Sequence, residues 1–258
     1  MAKKKTTELD GQLCFDLSTN ANRYVVQAND LVLAKQSLKL NSAKIMRAII
    51  MQIEPEDDDF KTYRESIPEL AKLLNIDESN LYRNMHDITT DILKNPVELK
   101  PSDYVVNGEK GTPKRYAQFP WVDAFAYDDK GAGLLVKINP VLKPYLLSLK
   151  GHYTQYKLED ILQMRSVYAL RIYEMLQEET LIKFLPKNGI SIDLKIDDIR
   201  RCCACEDKYL IFTQFKERVL DTAVKEINRC TSYVVTYEPV KNGRSFDTIR
   251  FRVNAFYH

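Results

Sequence analysis

The chain has 258 residues, 38 basic and 36 acidic side chains, a formal net charge of +2, 45% apolar residues and 29% charged residues. Such a chain can bury the core of one large domain or two ordinary ones, and its composition excludes disordered, collagen-like and linker-rich classes. Only 8 Gly are present, which argues against a Gly-rich nucleotide-binding fold, and the near-balanced charge means that a nucleic-acid role must rest on local basic patches.

Met1-Ala2-Lys3-Lys4-Lys5 leads into Thr6-Thr7-Glu8 rather than an apolar run, and no window approaches 18 consecutive apolar residues. Neither a signal peptide nor a transmembrane helix is expected, and the expected compartment is the cytoplasm. Residues 1–22 read as a flexible N-terminal arm, and Tyr24-Val25-Val26-Gln27 as a short strand. The next helix, capped by Asn41 or Ser42, carries Ile45, Met46, Ile49, Ile50 and Ile53 at helical spacing and ends at the acidic loop 54–59. Residues 63–67 are strand-like, and Pro68 suits the first turn of a helix to Leu74. Asn75-Ile76-Asp77 then breaks the pattern before a longer helix, capped by Asp77 or Ser79, with Leu81, Met85, Ile88, Ile92 and Leu93 inward.

After Asn95-Pro96 the period falls to about 2, giving strands over 97–99, 116–127 and 134–138, the last two joined by a turn at 128–131. Asn139-Pro140 opens a short helix to Leu149, and Lys150-Gly151 reads as a boundary. The second half repeats the order: a long helix over 157–179, a strand over 190–194, a short helix over 197–204 and a longer one over 213–229. Its inward residues are Phe215, Val219, Leu220, Ala223 and Ile227. Strands over 233–237 and 248–253 flank Lys241-Asn242-Gly243-Arg244, where Asn-Gly is a hairpin signal. Helix, strand, helix, helix, hairpin, twice over, predicts an α+β fold of two tandem winged-helix domains in pseudo-symmetric arrangement. The expected division is an arm at 1–22, an N-terminal winged helix at 23–150 and a C-terminal one at 151–258.

Enzymatic signatures are missing. Gly108-Glu109-Lys110-Gly111-Thr112 lacks the spacing of a phosphate-binding loop, and neither GxSxG nor GxGxxG occurs. The three His (His86, His152, His258) form no HxH or HExxH pair, which a metal-dependent DNA-nicking enzyme needs. Cys202, Cys203 and Cys205 invite a zinc reading, but two are adjacent and no second pair exists; Ile196, Ile199, Cys202 and Cys203 share one helical face, as core residues do. The five Cys do not read as a disulfide framework. The acidic run 54–59 lacks the ligand alternation of a calcium loop. No cofactor and no metal are expected.

Three segments resemble the initiator Rep family of plasmid replication proteins, which bind iterons at an origin. The first is Val25-Val26-Gln27-Ala28-Asn29-Asp30-Leu31-Val32, continuing through Ser37-Leu38 to Lys44-Ile45 and Ile53. The second is Tyr153-Thr154-Gln155-Tyr156, followed by Ser166, Tyr168, Arg171, Tyr173 and Glu174 in an S-x-Y-x-x-R-x-Y-E pattern, the most specific signal in the chain. The third is Phe215-Lys216-Glu217-Arg218-Val219-Leu220 with Ala223 and Lys225-Glu226-Ile227-Asn228. Membership implies a non-enzymatic initiator that binds double-stranded DNA at origin direct repeats, helps open the adjacent duplex, and recruits host initiator and helicase-loading proteins. It also implies a monomer in equilibrium with a homodimer, the dimer acting at an operator inverted repeat to repress the protein's own promoter. No membrane partner is implied. Leu210-Ile211-Phe212, just before the second recognition helix, is more apolar than relatives tend to be there.

A winged helix sets its third helix in the major groove and its wing along the backbone. The expected DNA-binding residues in the second domain are Thr213, Gln214, Lys216, Arg218 and Lys225 on the helix and Lys241 and Arg244 on the wing. Gln214 and Arg218 can read adenine and guanine. In the first domain they are Asn80 and Arg83 on the helix and Lys114 and Arg115 in a following loop, expected to act mostly on phosphate. Residues 200–258 hold 11 Lys and Arg against 7 Asp and Glu, a local surplus of +4 where the whole chain carries +2. A dedicated transcription repressor of the same fold fits this pattern too; a DNA-nicking enzyme fits it poorly.

Overall fold

The computed structural model describes residues 6–9, 12–15, 24–54, 56–99, 105–106, 109–110, 117–127, 133–183 and 188–255. Within the segment expected to be a flexible arm, Thr6–Leu9 and Gln12–Phe15 pair as an antiparallel hairpin. The first repeat begins with strand β1 (Tyr24–Ala28) and the single turn α1 (Asn29–Val32). Helix α2 (Leu40–Ile50), strand β2 (Tyr63–Glu65), helices α3 (Ile67–Leu74) and α4 (Glu78–Lys94), and strands β3 (Val122–Tyr127) and β4 (Leu134–Ile138) follow. The second repeat has β5 (Tyr153–Lys157), α5 (Leu158–Leu162), α6 (Val167–Lys183), β6 (Ile190–Lys195) and α7 (Ile196–Cys202). Its third helix, α8, comprises Phe212–Phe215, a π-helical stretch Lys216–Asp221 and Thr222–Cys230; β7 (Tyr233–Asn242) and β8 (Ser245–Ala255) end the chain.

The two sheets have one topology. In the first, β4 lies between β3 and β2; in the second, β8 lies between β7 and β6, all antiparallel. Each sheet is thus a hairpin with the first strand of the repeat added to its returning arm. The first repeat also carries a small sheet of Lys35–Gln36, Val97–Leu99 and Ala117–Phe119, and a short pair of Val105–Val106 with Glu109–Lys110.

The repeats meet at their opening segments. β1 pairs antiparallel with β5, Val26 opposite Gln155, so the strand following Gly151 is hydrogen-bonded to the first strand of the other repeat. Beside this ribbon lies a buried polar network. Arg47 of α2 donates from Nε to Glu174 Oε1 at 3.0 Å, and from Nη2 to Glu174 Oε2 at 3.0 Å and to Gln36 Oε1 at 2.6 Å. Arg171 also binds Glu174, and its Nη2 donates to the carbonyls of Val32 at 2.5 Å and Ala34 at 2.9 Å. Gln27 and Tyr156 complete the shell of Glu174 at 3.1 and 2.5 Å. Burial penalises the Glu174 charge, but the two guanidinium groups outweigh it and hold its pKa down to about 2. The S-x-Y-x-x-R-x-Y-E pattern therefore encodes the joint between the repeats: Arg171 and Glu174 link α6 to α2 and α1, and Tyr173 donates to Asp160 at 2.7 Å.

Several local expectations need correction. Helix α2 has no side-chain cap from Asn41 or Ser42; it starts at Leu40, and Asp91 of α4 accepts from the Lys39 N–H at 2.9 Å, so a tertiary contact replaces the local one. Leu93 is 46% exposed, because the α4 stripe runs 81, 85, 88, 92 and the next residue rotates away. The single helix expected over 157–179 breaks at 163–166 into α5 and α6, as α1 and α2 are broken in the first repeat. The strand expected over 116–127 breaks at Pro120-Trp121, where Trp121 is fully buried against the Arg47 guanidinium at 5.5 Å. Tyr116 and the turn 128–131 lie outside the described residues. Among the described residues no helix is long and apolar enough to cross a membrane.

Candidate nucleic-acid interface

Helices α3 and α4 form a helix-turn-helix whose turn is fixed at both ends. Asn75 ends α3 in the left-handed region at φ 52°, and the Asp77 side chain accepts from the Asn80 N–H at 3.1 Å to start α4. Asn80 and Arg83 are exposed on the first turns of α4, joined by an Arg83 Nη2 to Asn80 Oδ1 hydrogen bond of 2.9 Å. Lys114 and Arg115 lie outside the described residues.

In the second repeat the buried row Phe215, Val219, Leu220, Ala223 and Ile227 anchors α8. The opposite side presents Thr213, Gln214, Arg218 and Lys225, all exposed. The π-helical turns widen the helix between Gln214 and Arg218; such bulges mark functional helices often enough to be informative. Lys216 does not share the exposed face. It is half-buried, donates to Asp221 at 2.9 Å and sits 5.9 Å from the Tyr237 ring on the hairpin. Asp221 also accepts from the Tyr237 hydroxyl at 2.5 Å. Partial burial works against the Asp221 charge, but the bonds from Tyr237 and Lys216 prevail and hold the carboxyl below its usual range. Lys216, Asp221 and Tyr237 thus brace α8 against β7, two residues out of phase with the reading face.

The β7–β8 hairpin closes on Asn242 paired with Ser245, so the two turn residues are Gly243 and Arg244, one position later than the Asn-Gly signal suggests. Gly243 takes φ +66°, as the first central position of a II′ turn requires, and a Cβ there would meet nothing. Arg244 is held at the tip in solvent. Lys241 lies 5.4 Å from the Phe246 ring, and Phe246 stacks on Phe212 of α8 at 4.6 Å, tying the wing to the start of the recognition helix.

Not all the local positive charge is available. Arg229 pairs with Glu226, Arg250 with Asp193 and Arg252 with Glu238, while Arg200 and Arg201 donate to backbone carbonyls. Arg218, Lys225, Lys241 and Arg244 have no ion-pair partner among the described residues. Cations without ion-pair partners among the described residues, on the helix face and the wing, form the pattern a polyanion surface selects. Cys202, Cys203 and Cys205 lie in the core, the Cys202 thiol 2.9 Å from the Leu33 carbonyl, and burial pushes the Cys203 and Cys205 thiols up, Cys205 to about 11. Among the described residues no group of three or more His, Cys, Asp or Glu could hold a metal ion.

Residues 24–177 match the family described as initiator replication protein, WH1, and residues 195–253 match initiator Rep protein, WH2. The chain belongs to the initiator replication protein family. Its members are DNA-binding replication initiators; the WH1 match runs from β1 through the first repeat and on across β5 and α5 into α6, and the WH2 match runs from the end of β6 into β8. The Pi initiator protein in complex with iteron DNA has the same fold: TM-score 0.75 at 20% identity, covering 92% of this chain and 98% of that one. Domains 2 and 3 of RctB match at TM-score 0.43 and 10% identity, over 99% of this chain and 91% of that one.

Sequence reasoning left Leu210 and Ile211 without a role and missed Phe246. Leu210 and Ile211 are 75% and 63% exposed at the entry to α8, the largest exposures among the bulky apolar residues described. The signal for Phe246 was its place near a hairpin tip, where an aromatic needs a partner.

Proposed function

We propose that this family member acts by binding duplex DNA at direct repeats in a replication origin, with the second repeat of the fold supplying most of the sequence readout. The observation that carries this reading is the set of cations without ion-pair partners, Arg218, Lys225, Lys241 and Arg244, on one helix face and one wing. The likeness to the Pi initiator, whose structure holds iteron DNA, supports the same placement. Gln214 and Arg218 read base edges from the major groove; Lys241 and Arg244 lie along phosphate. Asn80 and Arg83 of α4 contribute backbone contacts in the first repeat, with Lys114 and Arg115 in the loop beyond it. No step in this role calls for a catalytic residue, cofactor or metal.

Opening of adjacent duplex, recruitment of host initiator and helicase-loading proteins, and a repressing homodimer belong to the same reading. Self-association is assigned to the first repeat, where β3 is a sheet edge without a further strand partner among the described residues, with Tyr127 exposed. The other apolar residues of these strands support it less, since Trp121, Val122, Leu134 and Val136 are consumed by the core. Footprinting the full chain on the DNA flanking its gene tests the proposal. Protection is expected over an array of direct repeats of about 20 bp, two turns of DNA; protection of a lone inverted repeat would favour the dedicated repressor.

A further inference from the structure

The peptide Lys208–Ile211 ends in two exposed apolar side chains, yet it is held in place. Arg200 donates from Nη1 to the Lys208 carbonyl and from Nη2 to the Tyr209 carbonyl, each at 2.8 Å, while its guanidinium lies 4.2 Å from the Phe215 ring. Tyr209 takes the left-handed region at φ 51° and packs edge-on against Tyr168 at 6.2 Å. Ile211 then caps α8, its carbonyl accepting from the Phe215 N–H at 3.1 Å. Two aliphatic side chains are therefore presented to solvent by a braced loop, 75% and 63% exposed, when every other large aliphatic residue beside α8 is turned inward.

Resting on the DNA-binding reading above, we propose that Leu210 and Ile211 read thymine through its 5-methyl group in the major groove. They precede Thr213 and Gln214 on the first turn of the recognition helix, the end that approaches base edges. Phosphate contacts such as those of Lys241 and Arg244 carry no sequence information, and Gln214 and Arg218 read donor and acceptor patterns; the thymine methyl is the one apolar mark in the groove, and apolar side chains recognise it. The stacked Phe212–Phe246 pair, next in sequence, fixes the distance between this aliphatic ridge and the wing, so ridge and phosphate contacts share one register. A protein surface could cover the same ridge, but the ridge opens the helix that carries Gln214 and Arg218 and is tied through Phe212 and Phe246 to the wing that carries Arg244, groups suited to bases and phosphates.

The test uses the full chain and duplexes it recovers from a pool with a random core of about 20 bp. Each thymine of the recovered sequence is replaced in turn by deoxyuridine, which removes the methyl and keeps the base pair. One or two positions should lose about fourfold in affinity per methyl. For a variant carrying both Leu210→Ala and Ile211→Ala, that sensitivity should vanish at the same positions while Arg218-dependent discrimination persists. Uridine insensitivity at every position, or unchanged sensitivity in the variant, overturns the proposal and leaves the DNA-binding reading intact. Unchanged DNA binding with lost self-association in the variant assigns the ridge to a second copy and overturns it as well. Recovery of no preferred sequence by the wild-type chain overturns both.

Discussion

Arg218 and Lys216 are two positions apart and differ in everything that matters for readout. Arg218 is exposed without an ion-pair partner; Lys216 is spent on Asp221 and Tyr237. Arg218→Ala should weaken specific binding by about 1–3 kcal/mol and leave non-specific binding nearly unchanged, as measured by competition against scrambled duplex. Lys216→Ala should change the specific-to-non-specific ratio little. Sequence showed these as one basic cluster, because charge is visible in a string and the partner that consumes it is not. Glu65 makes a second case at this scale. It is fully buried and hydrogen-bonded to Gln52, and burial pushes its pKa up to about 8. A carboxyl whose folded pKa is raised stabilises the fold fully only below its unfolded value near 4.5 and loses that contribution as pH rises toward 8. At about 1.4 kcal/mol per pKa unit the loss amounts to a few kcal/mol. Glu65→Gln should therefore be more stable than wild type at pH 9 and should flatten the difference between pH 5 and pH 9 in urea unfolding. An equal pH slope in the two proteins would place the titration elsewhere.

At the scale of elements, the Phe212–Phe246 stack ties the wing to the recognition helix. Lys241→Ala with Arg244→Ala should lower affinity for all sequences and flatten the log K against log salt slope by about 2, one unit per phosphate contact. A slope equal to wild type removes the wing from the interface. The order of elements was legible in the sequence because apolar residues recur at 3.6 in the helices and alternate in the strands, and because Asp77 and the 241–244 turn are strong local punctuation. What was not legible shares one cause. The cap of α2 comes from Asp91, 52 residues away, and the break at 163–166 repeats the one before α2 because both repeats need a turn beside the central ribbon. The π-helical stretch of α8 has no local sequence mark. Each of these is decided by tertiary contacts rather than by neighbours in the chain.

For the molecule as a whole, the network around Glu174 is what makes two winged helices one unit. Its members come from β1, α2, β5 and α6, and the ion pair of Arg47 with Glu174 has both side chains fully buried. Breaking one partner of such a group leaves buried charge uncompensated: Glu174→Gln should destabilise the chain by about 3–5 kcal/mol in denaturant unfolding, well beyond the effect of removing an exposed pair such as Arg252 with Glu238. Similar losses from both would show that the joint is not held electrostatically. In the proposed role the buried joint and the exposed cations divide the labour, one fixing how the two winged helices are held and the other meeting the DNA. The most direct measurement of that account is the ratio of dissociation constants for scrambled and repeat-containing duplexes, at one fixed near-physiological salt concentration, for the full chain. A ratio of about 10³ or more is predicted for a sequence-specific initiator; a ratio near one would contradict it.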